Sequence, residues 1–273
     1  MPGAVMASGR WVPLAELSVV VNHPGHSSQK SHGRKGGDWE SDHNADSAAL
    51  KAAAESALKS STPLGGGFAA SVKIEEHEGG SLVRKDFPPS DAIRAPKDQA
   101  DSEVLGSKVA AALGVPAPAV VAVGEHSVIM EVAPGKTWAE GGRRPLPDEM
   151  VDSDQGRMLG LHDVLIGNHD RNSTNFMVDD DGGVTAIDHG LAFGWSIAAG
   201  TGSPFARHFS NAAGDNWADS IDISPGDMRK IRGRLDSLKA DFDKLGRSDW
   251  HAGVMERLDA LEPRATGERD RLS

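Results

Sequence analysis

The chain has no cysteine and no tyrosine among its 273 residues. Without cysteine there is no disulfide and no zinc site built on thiolates, and the composition suits a reducing compartment. Long apolar runs are missing too: none approaches the roughly 20 residues that a membrane-spanning helix needs. The stretch Trp11–Val21 is broken by Pro13 and Glu16, which also spoils it as a signal peptide. Basic charge is short, with 29 Lys and Arg against 40 Asp and Glu for a net charge of −11. Chains that bind nucleic acid or an anionic membrane normally carry a visible basic stripe, so neither partner is expected. The expectation is a cytoplasmic chain, long enough for two lobes with a cleft between them.

Against these absences one segment stands out, Leu161–Phe193, reading LHDVLIGNHDRNSTNFMVDDDGGVTAIDHGLAF. Met158, Leu161 and Leu165 recur at helical spacing and the pattern stops at Gly167-Asn168, so Asp170 falls just past a helix end. Phe176-Met177-Val178 and Val184-Thr185-Ala186-Ile187 are short apolar runs separated by Asp179-Asp180-Asp181-Gly182-Gly183, which is hairpin turn chemistry. Asn175 and Asp188 then sit at the outer ends of two paired strands, close in space. The same acidic run does not make a calcium loop, because the twelfth position from Asp179 is Gly190 rather than Glu.

A carboxylate past a helix end, followed by an amide and a second carboxylate at a hairpin mouth, suits phosphoryl transfer. That reaction needs one carboxylate to orient an attacking hydroxyl and oxygen ligands to hold Mg²⁺ against phosphates. Asp170 fits the first role, and Asn175 with Asp188 the second. Mg²⁺ brought in with ATP needs only one or two hard protein oxygens, so no all-protein metal cage is implied.

H-D-R-N-S-T-N followed by I-D-H-G resembles the D-R-x-x-x-N and I-D-x-G pair of the phosphatidylinositol 3- and 4-kinase-like superfamily, which also includes HipA-type and Fam20-type kinases. The order Asp170-Arg171 departs from the H-R-D loop of eukaryotic protein kinases and from the H-G-D loop of aminoglycoside phosphotransferases. The likeness runs from about Pro63 to about Leu261 and is nearest to small bacterial and phage members. It implies an α+β, bilobal protein-kinase-like fold with a small β-rich N-lobe over 61–133 and a mainly helical C-lobe over 134–263. It also implies ATP and Mg²⁺ as cofactors and catalytic roles for Asp170, Arg171, Lys85 and Glu103, with Asn175 and Asp188 as metal ligands. Arg171, beside the catalytic Asp, would neutralise phosphate or brace the loop.

The upstream half contains pieces in the order such a fold requires. Leu64-Gly65-Gly66-Gly67-Phe68 precedes an alternating strand, Ala70–Ile74, and glycines there let backbone amides approach phosphate. A turn at Glu78-Gly79-Gly80 leads to a return strand Leu82–Lys85. By the resemblance, Lys85 is the lysine that contacts the α and β phosphates. Between Gln99 and Leu113 the apolar positions Leu105, Val109 and Leu113 form one helical stripe ended by Gly114 and Pro116, with Glu103 as the implied partner of Lys85. Ala119–Val123 and Ser127–Val132 form a second hairpin, and the resemblance makes Met130-Glu131-Val132 the hinge whose backbone meets adenine. Taken alone, the triple glycine reads as a linker turn, Lys85 as a solvated strand-edge lysine and Glu103 as an exposed helix residue.

Outside this core, Asn22–Gly37 is polar, Gly-rich and locally basic, and reads as a solvated arm within a disordered or partly helical region spanning 1–60. Its His23, His26 and His32 lack the rigid surroundings of a metal site. Their H-x-x-H-x-x-Q-x-x-H-G pattern resembles short segments in head-associated proteins of actinobacterial phages, which raises carriage in a phage particle. Ala45–Leu58 is Ala-rich and suits a helix. Gly190–Pro225 carries Trp195, Phe205, Phe209 and Trp217, as loop anchors or as the lining of a substrate groove. Met228–Leu245 and Trp250–Leu261 read as two amphipathic helices, and 264–273 as a frayed tail.

The functional expectation is an ATP- and Mg²⁺-dependent kinase acting on a hydroxyl, with protein Ser or Thr first. A lipid or small-molecule kinase, a protein nucleotidyltransferase, and a non-catalytic pseudokinase serving as a binding module of a phage particle are the alternatives. Lacking tyrosine, the chain can autophosphorylate only on Ser, Thr or less usual residues.

Overall fold

A computed structural model describes residues 4–7, 10–13, 39–66, 70–89, 94–140, 145–193, 203–209, 217–268 and 272. The His-rich segment 22–37, Gly67 and Trp195 lie outside the described residues.

The architecture is α+β and bilobal, as the resemblance implies. The small lobe is an antiparallel sheet of β3 (Leu58–Gly66), β4 (Ser71–His77), β5 (Gly80–Asp86), β6 (Val120–Ala122) and β7 (Ser127–Met130), in the order β3-β4-β5-β7-β6. Sequence alternation decides its two faces. Leu82, Val121 and Ile129 turn to one face, buried under Leu50 and Ala54 of α1 (Trp39–Glu55). Val83, Val120, Val128 and Met130 turn to the other, against Ala100 and Val104 of α2 (Pro96–Leu113).

The Ala-rich helix therefore starts six residues before the expected Ala45 and ends at Glu55. Leu58 instead opens β3, a strand hidden from sequence reading because serines, Pro63 and glycines interrupt its alternation. That strand runs through the boundary expected at residue 60. Further upstream, Ala4–Ala7 and Arg10–Pro13 pair as a short hairpin, β1 and β2.

Helix α2 belongs to both lobes. Its stripe Leu105, Val109 and Leu113 is fully buried in the large-lobe core with Leu161, Leu165, Ile231 and Leu258. Gly114 ends the helix with a φ of 71°, giving its backbone N–H to the carbonyls of Ala110 and Ala111.

After β7 the chain crosses into the large lobe through Pro134-Gly135 and adds a two-residue strand, β8 (Lys136–Thr137), to the edge of β9 (Phe176–Val178). Gly135 is required there: at φ +91°, a Cβ would lie 2.3 Å from the Val178 carbonyl oxygen. Helices α3 (Asp148–Val151) and α4 (Asp154–Leu165) precede the loop at 166–175. Ser153 caps α4, accepting from the Gly156 N–H at 3.0 Å. Strand β9 pairs with β10 (Val184–Ala186), and the Asp179 carboxylate accepts the N–H groups of Asp181 and Gly183 across the turn, so the acidic run is a turn.

The helix expected over Met228–Leu245 is two, α5 (Pro225–Ser237) and α6 (Lys239–Lys244). Ser237 breaks it by giving its hydroxyl back to the Arg234 carbonyl at 2.8 Å. Helix α7 (Ser248–Leu261) follows. Just beyond it, Thr266 and Gly267 give their N–H groups to the carbonyls of Ile221 and Ile223 at 3.0 Å. Phe205 and Phe209 are buried in the core, so they anchor their segment rather than line a groove. No helix among the described residues is long and apolar enough to cross a membrane.

Candidate active site

Two clusters form where the lobes meet. The first is centred on Lys85. Alternation along β5 turns its side chain toward the cleft while Leu82 and Arg84 face away. Lys85 Nζ lies 2.6 Å from Glu103 Oε1 and 2.6 Å from Asp188 Oδ1, and 5.3 Å from the centre of the Phe87 ring. The residue is 7 % exposed and Glu103 is fully buried, which overturns the solvated readings both residues have when taken alone. Burial drags the Lys85 ammonium toward neutrality, but the Asp188 and Glu103 charges outweigh it and hold its pKa above the ordinary value. Burial likewise pushes the Glu103 carboxyl up, and the Lys85 charge outweighs it, holding that group well below the usual carboxylate range.

Glu103 does more than hold Lys85, because its other oxygen accepts the His189 backbone N–H at 2.9 Å. Asp188 itself has a φ of 58°, a left-handed conformation that Asp tolerates better than most residues and that costs about 1–3 kcal/mol. This local turn lets Asp188 aim at Lys85 while the next N–H aims at Glu103. Ser102 reinforces it, its hydroxyl lying 2.7 Å from the His189 carbonyl and 2.9 Å from that of Ala192. The His189 imidazole is buried beside Arg171 and His162; burial, with those neighbours, lowers its pKa to about 4.

The second cluster is the loop after α4. Asp170 is half-buried, and its carboxylate accepts the side-chain amides of Asn172 at 2.9 Å and Asn175 at 3.1 Å. Asn175 also gives its amide to the Asp170 carbonyl. The Asp170 N–H goes to Asn168 Oδ1 at 3.0 Å. The two clusters meet at the hairpin mouth, where the Ile187 N–H donates to the Asn175 carbonyl at 3.2 Å.

Arg171 ties the clusters together. It is fully buried, and one Nη donates to the carbonyls of both Asn175 and Ile187, while Nε and the other Nη reach Asp163 at 2.9–3.2 Å. In this placement the guanidinium braces the loop, joining it to α4 and to the hairpin mouth. Asp163 was not found from sequence. It also accepts from Asn168 at 3.1 Å and from Ser203 at 2.7 Å, while the Arg171 charge, with His162, holds its pKa down against the upward pull of burial. The signal was available: His162-Asp163 is a polar pair inside the apolar run of α4, and a buried polar pair requires partners.

Of the remaining candidates, Gly65, Gly66 and Met130 lie on the same sheet. Gly65 pairs with Val72, Val72 with Lys85 and Lys85 with Val128, so the glycine turn is two strands from the lysine, or about 10 Å. Gly65 and Gly66 end β3, and Gly67 is outside the described residues. Met130 ends β7, and Glu131 and Val132 carry the chain across to the large lobe. The Glu131 N–H goes to the Ala119 carbonyl and its carboxylate accepts the Ala119 N–H at 2.9 Å, fixing this crossing.

The donor set fits a magnesium ion that arrives with phosphates. Asp188 offers a carboxylate whose side chain is 42 % exposed, and Asn175 an amide oxygen, both hard ligands. Among the described residues no group of three His, Asp or Glu could hold a metal alone, so the other ligands would be phosphate and water.

No protein-family model matches the chain and no curated protein matches it. Among solved structures it is similar to the Rio2 kinase from Chaetomium thermophilum, crystallised as an ADP/Mg²⁺-phosphoaspartate complex, at 14 % identity and a TM-score of 0.39, covering 78 % of this chain and 74 % of that one. It is also similar to the Helicobacter pylori proinflammatory kinase CtkA, at 12 % identity and a TM-score of 0.48, covering 77 % of this chain and 94 % of that one.

Proposed function

We propose that this chain is an ATP- and Mg²⁺-dependent phosphotransferase that acts on a hydroxyl. The observation that carries the reading is the buried ammonium of Lys85, bridging Glu103 and Asp188 at 2.6 Å each, on a turn joined through the Ile187 N–H to Asn175, which holds the Asp170 carboxylate. When bound, MgATP supplies the γ-phosphoryl group and neutralises its charge. Lys85, kept protonated and fixed by Glu103, offers its ammonium to the phosphate oxygens. Asp188 and Asn175 would hold the metal. Asp170 orients the acceptor hydroxyl and takes its proton as the new oxygen–phosphorus bond forms and the bond to the bridging oxygen breaks, releasing ADP.

The acceptor we assign is a protein Ser or Thr. The net charge of −11 disfavours anionic lipid headgroups, and the HipA-like loop favours protein. The test is label transfer from γ-labelled ATP with Mg²⁺, comparing wild type and Asp170→Ala, with host lysate as acceptor. Label on protein with wild type alone is the expected result. Absence of transfer by wild type overturns the reading, and an added mass of a whole nucleotide replaces it with nucleotidyl transfer.

A further inference from the structure

Glu103 can hold Lys85 only while α2 stays against the small sheet, so whatever holds α2 sets the site. At 100° per residue, Asp98 and Asp101 share one face of the helix, and Glu103, 200° beyond Asp101, points the opposite way. On that far face Arg247, just before α7, reaches both acids from the large lobe, beside the local pairs of Lys97 with Asp101 at 2.7 Å and of Arg94 with Asp98 at 4.0 Å. Arg247 Nη2 pairs with Asp98 and lies 2.7 Å from Asp101 Oδ2, and its Nε donates to the same oxygen at 2.9 Å. The guanidinium is fixed in turn over the buried Trp250 ring at 4.4 Å, and that ring stacks on Phe193, 5.2 Å away and within 2° of parallel. Arg94 approaches the same ring at 4.6 Å and donates to the Ala192 carbonyl.

The first turns of α2 are thus gripped from two sides, by Lys85 of the small lobe and by Arg247 of the large one. Farther along, Lys108 pairs with Asp241 at 2.9 Å and Arg234 donates to the Ala112 carbonyl, so the rest of the helix is also tied to the large lobe.

We propose that Arg247 is a positioning residue for the cleft: by clamping Asp98 and Asp101 onto the large lobe it keeps Glu103 seated on Lys85 and on the His189 N–H. The proposal rests on the phosphotransferase reading for its catalytic consequence, but the clamp itself is a property of α2. Arg247→Ala frees the first two turns, and Arg247→Lys keeps the charge but loses the planar fork that reaches both acids.

The experiment combines amide hydrogen exchange over residues 98–105 with kcat for phosphoryl transfer, in wild type, Arg247→Ala, Arg247→Lys, Glu103→Gln and the Arg247→Ala/Glu103→Gln double variant. We expect Arg247→Ala to lose protection in α2 and to drop kcat about tenfold or more, because small misplacements at a reacting centre cost heavily. Arg247→Lys should fall between, and serves if the alanine variant does not fold. In the Glu103→Gln background the same substitution should cost nothing further, a non-additivity that general loosening would not produce. Equal fractional losses in both backgrounds, or unchanged α2 protection, overturn the proposal. Lost protection in a chain whose wild type transfers no phosphate leaves the clamp standing and removes the phosphotransferase reading instead.

Discussion

Three helix glycines give a graded test of how tightly the large lobe is packed around the site. Replacing Gly by Ala inside a helix gains about 1 kcal/mol from backbone propensity alone, so the sign of the net effect depends on what the new methyl meets. At Gly233 in α5 it meets nothing within 4 Å, and Gly233→Ala should stabilise by about 0.5–1 kcal/mol, or about 1–4 °C in Tm. At Gly106 in α2 it would lie 2.6 Å from Cβ and 2.8 Å from Cγ of His189. Overpacking of that kind costs about 1–3 kcal/mol, so the net change is a loss of up to about 2 kcal/mol. His189 follows Asp188 and gives its N–H to Glu103, so the same methyl should depress phosphoryl transfer about tenfold or more. At Gly160 in α4 the methyl would stand 2.0 Å from the Phe205 carbonyl oxygen. A backbone atom cannot rotate away, and the net loss should be the largest of the three, at least about 2 kcal/mol. Denaturant midpoints with unchanged m-values, alongside transfer rates, measure all three. A Gly106→Ala chain as stable as Gly233→Ala and fully active would refute the close seating of α2 on the Asp188 turn.

Two further outcomes are expected. Lys85→Met should abolish transfer and destabilise by about 3–5 kcal/mol, because it strands Glu103 as a buried charge; Lys85→Met/Glu103→Leu should recover much of the stability and none of the activity. Transfer by either variant would refute the role of Lys85, as read by label incorporation beside a melting curve. In α1, His43 is buried near Lys108, Asp46 and Asp241, its Nε2 without a hydrogen-bond partner among the described residues, and burial followed by the Lys108 charge lowers its pKa. A depressed folded pKa means that its stability contribution is complete above the ordinary value of 6.5 and is lost as pH falls from there toward the folded value. His43→Leu should therefore lose less Tm than wild type between pH 8 and pH 5.5; equal losses would show that His43 does not couple α1 to pH.

Sequence by itself determined the features that depend on neighbours along the chain. The period of Leu105, Val109 and Leu113 identified α2, its stop at Gly114 located the helix end, and the turn at Asp179–Gly183 paired two strands so that Asn175 and Asp188 met. Asp170 past the end of α4 followed from the same local rules. Those rules failed where a local signal was overridden or missing: Ser237 split a helix whose apolar stripe ran on, and β3 formed from serines and glycines because β4 supplied an ordered partner.

Tertiary structure alone decided burial and partnership between distant residues. Lys85 reads as solvated until the fold sets it between Glu103, 18 residues away, and Asp188, 103 away. Arg171 became a brace only because Asp163 and two strand-end carbonyls surround it, and Arg247 gained its importance from acids nearly 150 residues earlier. A side chain's charge state and task depend on what excludes water from it and what opposes its charge, and neither is a property of the residues beside it in sequence.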